Sequence, residues 1–387
     1  MKLIILIIEF LYILSTTIFP SIGKTIVTYI PNEVNYQNLG IPLSSRYPDD
    51  SVSRSPWDME VYDNKLFIGG GDYDNNTGPV PVYYYDLSTD RWENSGTVPD
   101  EQIEMYQIIN DKLMIPGCDP QDNWDYGNIY TYNNGWNTNR AIPGGIHQFD
   151  LVEYHNMIFV ALGVVPGEYP IAVSDDNGAS YHQVIMCKNN VPIDTNIPNV
   201  EGVTSAQNRV YDLFVLNDSL YAYYCNNTNI TTTLEIYKYH NGAFHYYCDF
   251  PDNIKTKRTA YRIFNAKVEF NSCQYVATGR LYVTKDMKSF QEIEIAKDSA
   301  VTDLKIINNK LYALVLLRAE NGDYIISLRE LTNPENNAFR ERFRITFPCP
   351  ALCFTYHNGY VYFGMGHGIL RDSCKTCGTI LSVRFRL

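Results

Sequence analysis

Six carboxylates fall in three polar loops bounded by glycine, proline or cysteine. GDYDNN carries Asp72 and Asp74, CDPQDNWDYG carries Asp119, Asp122 and Asp125, and PGEYP carries Glu168. These loops and their neighbours also hold Trp57, Tyr73, Trp124 and His147. Acids interleaved with aromatic rings suit a hydroxyl-rich ligand, because rings give platforms for sugar faces and carboxylates accept from hydroxyls. Two carboxylates close together would also serve as general acid and base, the pair a glycosidase needs. A second set is Asp58, Asp150, Asp212 and Asp303, each at the same place in a similar segment. Gathered into a ring, they would hold a hard cation such as Ca²⁺. Otherwise each would accept from backbone N–H groups and set the spacing between neighbouring units. A residue repeated in a repeat fold favours the second role, so no cofactor is expected beyond a possible structural Ca²⁺.

The elements that must position these residues recur along the chain. WDMEVYDNKLFIGG begins at Trp57, MYQIINDKLMIPG at Met105, FDLVEYHNMIFVALG at Phe149 and YDLFVLNDSLYAYY at Tyr211. A weaker copy, RIFNAKVEFNSCQYVATG, begins at Arg262, followed by TDLKIINNKLYALV at Thr302 and LCFTYHNGYVYFGMG at Leu352. Each reads as two strands around an Asn, Asp or Gly turn. Outer strands follow: WENSGTVP, GWNTNRAIP, SYHQVIM, AFHYYCDFP, SFQEIEI and RFRITFP. The last copy stops at GTILSVRFRL, one strand short, and VNYQNLGIP at residues 34–42 has the missing shape. The expected fold is therefore all-β, a single seven-bladed β-propeller over residues 24–387, closed by an N-terminal strand. Strands alternate in direction, so loops joining second to third strands share one face with the links between blades. That face carries Trp57, Asp72, Tyr73, Asp119, Asp122, Trp124, Asp125, His147 and Glu168 and is the expected binding face.

Residues 65–99 resemble one kelch repeat. A β-branched and aromatic run ends in three glycines, Gly69 to Gly71, and Tyr85 and Trp92 follow seven positions apart. The resemblance covers one blade well and the others in outline, and it implies a propeller. SDDNGASY resembles an Asp-box, with Ser174, Asp176, Gly178, Ser180 and Tyr181 in the pattern positions, and TKDMKSF is similar to a shortened copy. Asp-boxes occur in sialidases and other propellers, and the resemblance implies a structural hairpin. A sialidase would also need an arginine cluster, a Tyr–Glu pair and an acid. Arg46 in SSRYP is faintly similar to the first arginine motif of that family, while Arg209, Arg258, Arg262 and Arg280 lack its context. A galactose-oxidase-like copper site would need two Tyr and two His, and His155, His240 and His357 sit instead in YHN turns.

The net charge of −12 and pI near 5.1 disfavour nucleic acid and anionic membranes as partners. Residues 1–23 read as a signal peptide, with Lys2, an apolar run over 3–18, and Ser21 and Gly23 at cleavage spacing. No later stretch is long and apolar enough to span a membrane. Nine cysteines fit an oxidising compartment. Cys374 and Cys377 form a CxxC, read as a local staple because no second Cys/His pair stands at metal spacing, so no metal is expected there. Cys225 with Cys248, and Cys349 with Cys353, are candidate disulfides. Asn75, Asn217, Asn226 and Asn229 are glycosylation sequons. The function expected first is a secreted, monomeric, non-catalytic recognition module for a glycan or protein. The alternatives are a carbohydrate-active enzyme, hydrolase or lyase, using the loop carboxylates, and a cell-surface structural or adhesion protein.

Overall fold

The computed structural model describes residues 33–196, 208–227, 232–254, 264–367 and 374–385. The chain divides into two compact units, Met1–Glu33 and Val34–Leu387. The expected signal peptide lies outside the described residues, and the fold below is that of the second unit. Among the described residues no helix is long and apolar enough to cross a membrane.

The described elements are strands, apart from two short 3-10 turns, Pro42–Ser45 and Tyr73–Asn75. The first blade is an antiparallel meander of Met59–Tyr62, Lys65–Ile68, Val80–Asp86 and Arg91–Val98. Its first turn uses Asp63 and Asn64 at φ 48 and 56, and Asn110 with Asp111 and Asn308 with Asn309 repeat that geometry. Asn and Asp tolerate the left-handed region, which is why two-residue hairpins form at these pairs. The second blade is Gln107–Ile109, Lys112–Pro116, Tyr126–Tyr132 and Trp136–Pro143. Two more run over Ala266–Phe270 to Gln291–Ile293 and over Ala300–Ile307 to Ala338–Phe347. The fifth takes Ala351–His357, Tyr360–Met365 and Ile380–Arg384 from the C-terminal end and Gln37–Gly40 from the N-terminal end, Gln37 facing Ser382.

The expected seven separate blades closed into a ring must be corrected. Five four-stranded blades are present, and the strands between residues 145 and 249 form one ten-stranded sheet. Two features merge them. Gly163, at the end of Met157–Val164, pairs with Arg209 at the start of Asn208–Val215. SYHQVIM is also not one strand. His182–Gln183 completes one run, whereas Met186–Lys188 lies parallel to Ala243–Asp249, Met186 facing Phe244. Residues 182–188 thus cover a sheet edge that would otherwise stay unpaired.

Aromatic side chains fill the space between sheets. Phe67 is fully buried and meets Tyr84, Tyr132 and Trp136 at centroid distances of 5.4, 4.9 and 5.8 Å. Trp92 packs on Tyr85 at 5.2 Å and donates from Nε1 to the Leu39 carbonyl at 2.6 Å. Each ring buried this way contributes about 1.5–3 kcal/mol.

Candidate functional site

The glycines ending Lys65–Ile68 let another segment approach closely. Gly71 has φ +94, and a Cβ there would lie 2.4 Å from the Glu101 carbonyl oxygen. Residues 99–104 fill that space, with the Ile103 N–H donating to the Gly70 carbonyl at 2.8 Å. The Glu101 N–H donates to Cys118 O at 3.0 Å, the Asp119 N–H to Ile146 O at 3.1 Å, and the Gln148 N–H to Gly117 O at 2.9 Å. Three links of the loop face therefore lie edge to edge, and each brings side chains to one place.

At that place Asp119 Oδ1 stands 3.3 Å from His147 Nε2. Tyr73 meets the imidazole edge-on at 5.7 Å, Phe149 stacks on it at 5.1 Å, and Cys118 Sγ lies 3.6 Å from Nδ1. Burial raises the Asp119 carboxyl to about 7, the Glu101 charge adds to the rise, Arg209 opposes it, and Asp100 and Glu104 add further. Burial, and then Arg209, push His147 down to about 3. The imidazole is therefore neutral near pH 7. The two groups lie 3.3 Å apart, a carboxyl raised toward neutral pH beside a neutral ring, and such a pair can hold or release one proton.

Beneath lies a buried polar layer. Asp100 Oδ1 accepts from Asn128 Nδ2 at 2.8 Å and from the Tyr130 hydroxyl, and the Cys118 amide also faces the carboxylate. Burial raises the Asp100 carboxyl despite these bonds. Among the described residues, Asp100 Oδ2, Asn128 Oδ1 and both amide atoms of Gln148 are buried without a hydrogen-bond partner. These groups crowd around Gly117, where a Cβ would lie 2.3 Å from Asp100 Oδ2 and 2.8 Å from Gln148 Oε1. Sequence reasoning passed over Asp100, Glu101, Glu104, Asn128 and Gln148. The available signal was the acid-rich DEQIE after Pro99, in a link between blades.

The other loop-face residues are dispersed. Trp57 is half-buried, donates from Nε1 to Gly71 O at 2.7 Å and touches His367 edge-on at 5.0 Å. Asp72 is fully buried and caps its own turn, accepting from the Asp74 N–H at 3.1 Å and Asn75 Nδ2 at 2.7 Å. Asp122 lies 3.7 Å from Arg140 Nη1, and Asp125 is exposed. Trp124 keeps 54% of its surface exposed. Glu168 packs its stem over Gly144.

Three of the four inner-strand acids clasp neighbouring units. Asp58 accepts from the Tyr106 N–H at 2.8 Å, Asp150 from Leu213 at 2.7 Å, and Asp303 from Phe354 at 3.0 Å. Lys267 pairs with Asp150 and lies 3.3 Å from Asp212, and Lys305 lies 3.7 Å from Asp58. Two lysines thus bring positive charge among these acids.

At the other end of the strands, residues 174–181 bond among themselves. Ser174 Oγ donates to Asp176 Oδ1 at 2.8 Å, the Gly178 N–H to Ser174 Oγ at 2.8 Å, and the Ser180 N–H and hydroxyl to Asp176 at 2.9 and 2.6 Å. Tyr181 is buried beneath the hairpin. A concavity of about 590 Å³ opens beside the similar hairpin at 284–290, lined by Asn271, Thr284, Asp286, Ser289, Glu335 and Asn337. The Asp286 carboxylate there accepts from Ser289 and Lys288 of its own turn, which leaves it little capacity for a ligand.

Among the sequons, Asn75 and Asn217 are exposed, the latter donating to Ser272 O at 3.5 Å; the Asn226 side chain and Asn229 lie outside the described residues, as do Arg258 and Arg262. Cys225 and Cys248 stand two strands apart, about 9–10 Å at ordinary strand spacing, too far for a disulfide. Cys353 faces the Pro56 carbonyl at 3.6 Å, and Cys349 turns instead toward Cys374 and Cys377.

No protein-family model matches the chain, and no curated protein matches its sequence. Solved structures match its fold. PorZ, a surface component of the type-IX secretion system of Porphyromonas gingivalis, is similar with TM-score 0.50 and 10% identity, over 85% of this chain and 46% of that one. Chaetomium thermophilum Raptor gives 0.50 and 11%, over 86% and 28%. The extracellular domain of a putative one-component system from B. thetaiotaomicron gives 0.42 and 10%, over 80% and 44%. The chain spans less than half the length of each. At such identity the likeness to the two structures at 0.50 is one of fold, and together with the sheet topology it defines an all-β β-propeller.

Proposed function

We propose that this protein is a secreted recognition module that binds a hydroxyl-rich ligand, a glycan by class, on its loop face. The observation that supports this most is the meeting of Tyr73, Asp119 and His147 from three separate links, with Glu101 and Glu104 beside them. The Tyr73 ring offers a sugar face a platform, and the carboxylates accept from hydroxyls. Exposed Trp124 offers a separate ring surface on the same expected binding face. A glycan array with the chain from Lys24 onward tests the reading, followed by titration of any hit against Tyr73→Ala and Asp119→Asn. Both substitutions should weaken binding about tenfold or more. A hit that binds both variants like the parent overturns it.

A second reading is favoured by one observation. A carboxyl held near 7 beside a neutral imidazole has the acidity of a general acid at neutral pH. In that reading the face is a hydrolase or lyase site. Release of new reducing ends or unsaturated products from a bound polysaccharide, abolished in Asp119→Asn, distinguishes it from binding alone.

A further inference from the structure

Cys349 follows the strand Ala338–Phe347, and Cys374 and Cys377 lie in the turn before Ile380–Arg384. All three are free thiols, and their sulfurs lie within 4.8 Å of one another. Cys349 and Cys377 are buried and Cys374 is half-buried. The sequence offered CxxC alone; the fold adds a third sulfur from 25 residues upstream of Cys374. Tetrahedral Zn–S bonds of about 2.3 Å place sulfurs about 3.8 Å apart, so closing the shell asks for shifts of about 1 Å or less.

The surroundings suit thiolates. Arg54 donates from Nε to Cys377 O at 2.8 Å and from Nη2 to Cys374 O at 2.6 Å, which fixes the turn and brings positive charge to it. The Thr376 hydroxyl donates to Cys349 Sγ at 3.5 Å. The Cys377 thiol donates to Gly366 O at 3.2 Å, a bond that metal binding would give up with the thiol proton.

We propose that Cys349, Cys374 and Cys377 form a three-thiolate site for Zn²⁺, its fourth position taken by water or another small ligand. Binding releases three thiol protons to solvent and leaves one net negative charge, which Arg54 faces. The bound ion would tie the end of one blade to the last turn of the next.

The test uses the full chain, secreted by its producing cells and purified without chelator. Elemental analysis should find one zinc per chain. Exchange for Co²⁺ should give the strong sulfur-to-cobalt charge-transfer band of several thiolates. Cys349→Ser and Cys377→Ser should lose the metal, whereas Cys353→Ser, which alters a buried thiol outside the cluster, should keep it. Arg54→Ala should lower zinc affinity about ten- to hundredfold. Should the serine variants not fold, alkylation of the parent decides: added zinc should slow modification of Cys374 and leave that of Cys187 unchanged. Absence of zinc together with unaltered alkylation overturns the proposal. So does a disulfide joining any two of the three in non-reducing peptide maps of the secreted chain.

Discussion

Asp119, on the loop face, has its carboxyl raised to about 7, whereas Asp176, in a hairpin at the opposite end of the strands, is lowered to about 2. Burial among other acids drives the first, and hydrogen bonds from Ser180 drive the second. The hairpin end uses its polar groups on itself, so Asp176 and Asp286 are already engaged by their own turns. The loop end draws its groups from three links and leaves several incompletely bonded. A concavity's size is therefore a poor guide in this protein. The 590 Å³ hollow lies at the hairpin end, and the perturbed groups lie at the other.

Paired glycine substitutions test this contrast most severely. Gly117→Ala would place a methyl 2.3 Å from Asp100 Oδ2 and 2.7 Å from the Asn128 carbonyl, neither of which can withdraw freely. It should cost about 3 kcal/mol or more in urea unfolding. Gly178→Ala meets nothing closer than the Tyr181 hydroxyl, at 3.3 Å, and its main penalty comes from φ +85, about 1 kcal/mol. Equal costs would break the comparison.

The pH dependence should have opposite signs at the two ends. Folded Asp119 keeps its proton up to about 7, while its unfolded counterpart loses it near 3.8. The native state then binds more protons between those values, so stability falls as pH rises from 4 to 7. Asp303, also raised to about 7, acts in the same direction. Asp119→Asn should remove part of that fall, about 2 kcal/mol, in unfolding measured across the interval. Asp176 contributes stability that is present above 3.8 and lost as pH drops toward 2, so Asp176→Asn should flatten the acid limb alone.

The smallest effects sharpen the assignment of the face. Trp124→Ala should change stability by about 0.5 kcal/mol or less, since the ring is 54% exposed, yet weaken binding by about 1–3 kcal/mol. Asp286→Asn, beside the hollow, should leave affinity untouched in the same calorimetric titration.

What the sequence displayed, and what it hid, follows from contact range. The bonds within residues 174–181 span at most four positions, so residue spacing carried them. Turn pairs such as Asn308 and Asn309 were equally local. The meeting of Asp100 with Asn128 spans 28 positions and that of Cys118 with His147 spans 29, with no motif at either end. Cys349 reaches its partners only after the hairpin Ala351–His357 and Tyr360–Met365 turns the chain back on itself. The seven repeats were visible as patterns, but the pattern could not show that residues 182–188 divide between two runs of strands, because that depends on which edge was left open.

The pairing of Gln37 with Ser382 has a consequence for how the chain comes to be folded. Some 340 residues separate the two partners, which at about 5–20 residues per second is roughly 20–70 s of translation. Throughout that interval the segment 34–42 has no strand to join, and the nascent chain carries an open edge at its leading end. Topology of this kind makes the last clasp a slow, entropically demanding step, taken after the other blades can have formed. An emerging chain built so depends on holding that first strand apart from other chains until its own last strand arrives.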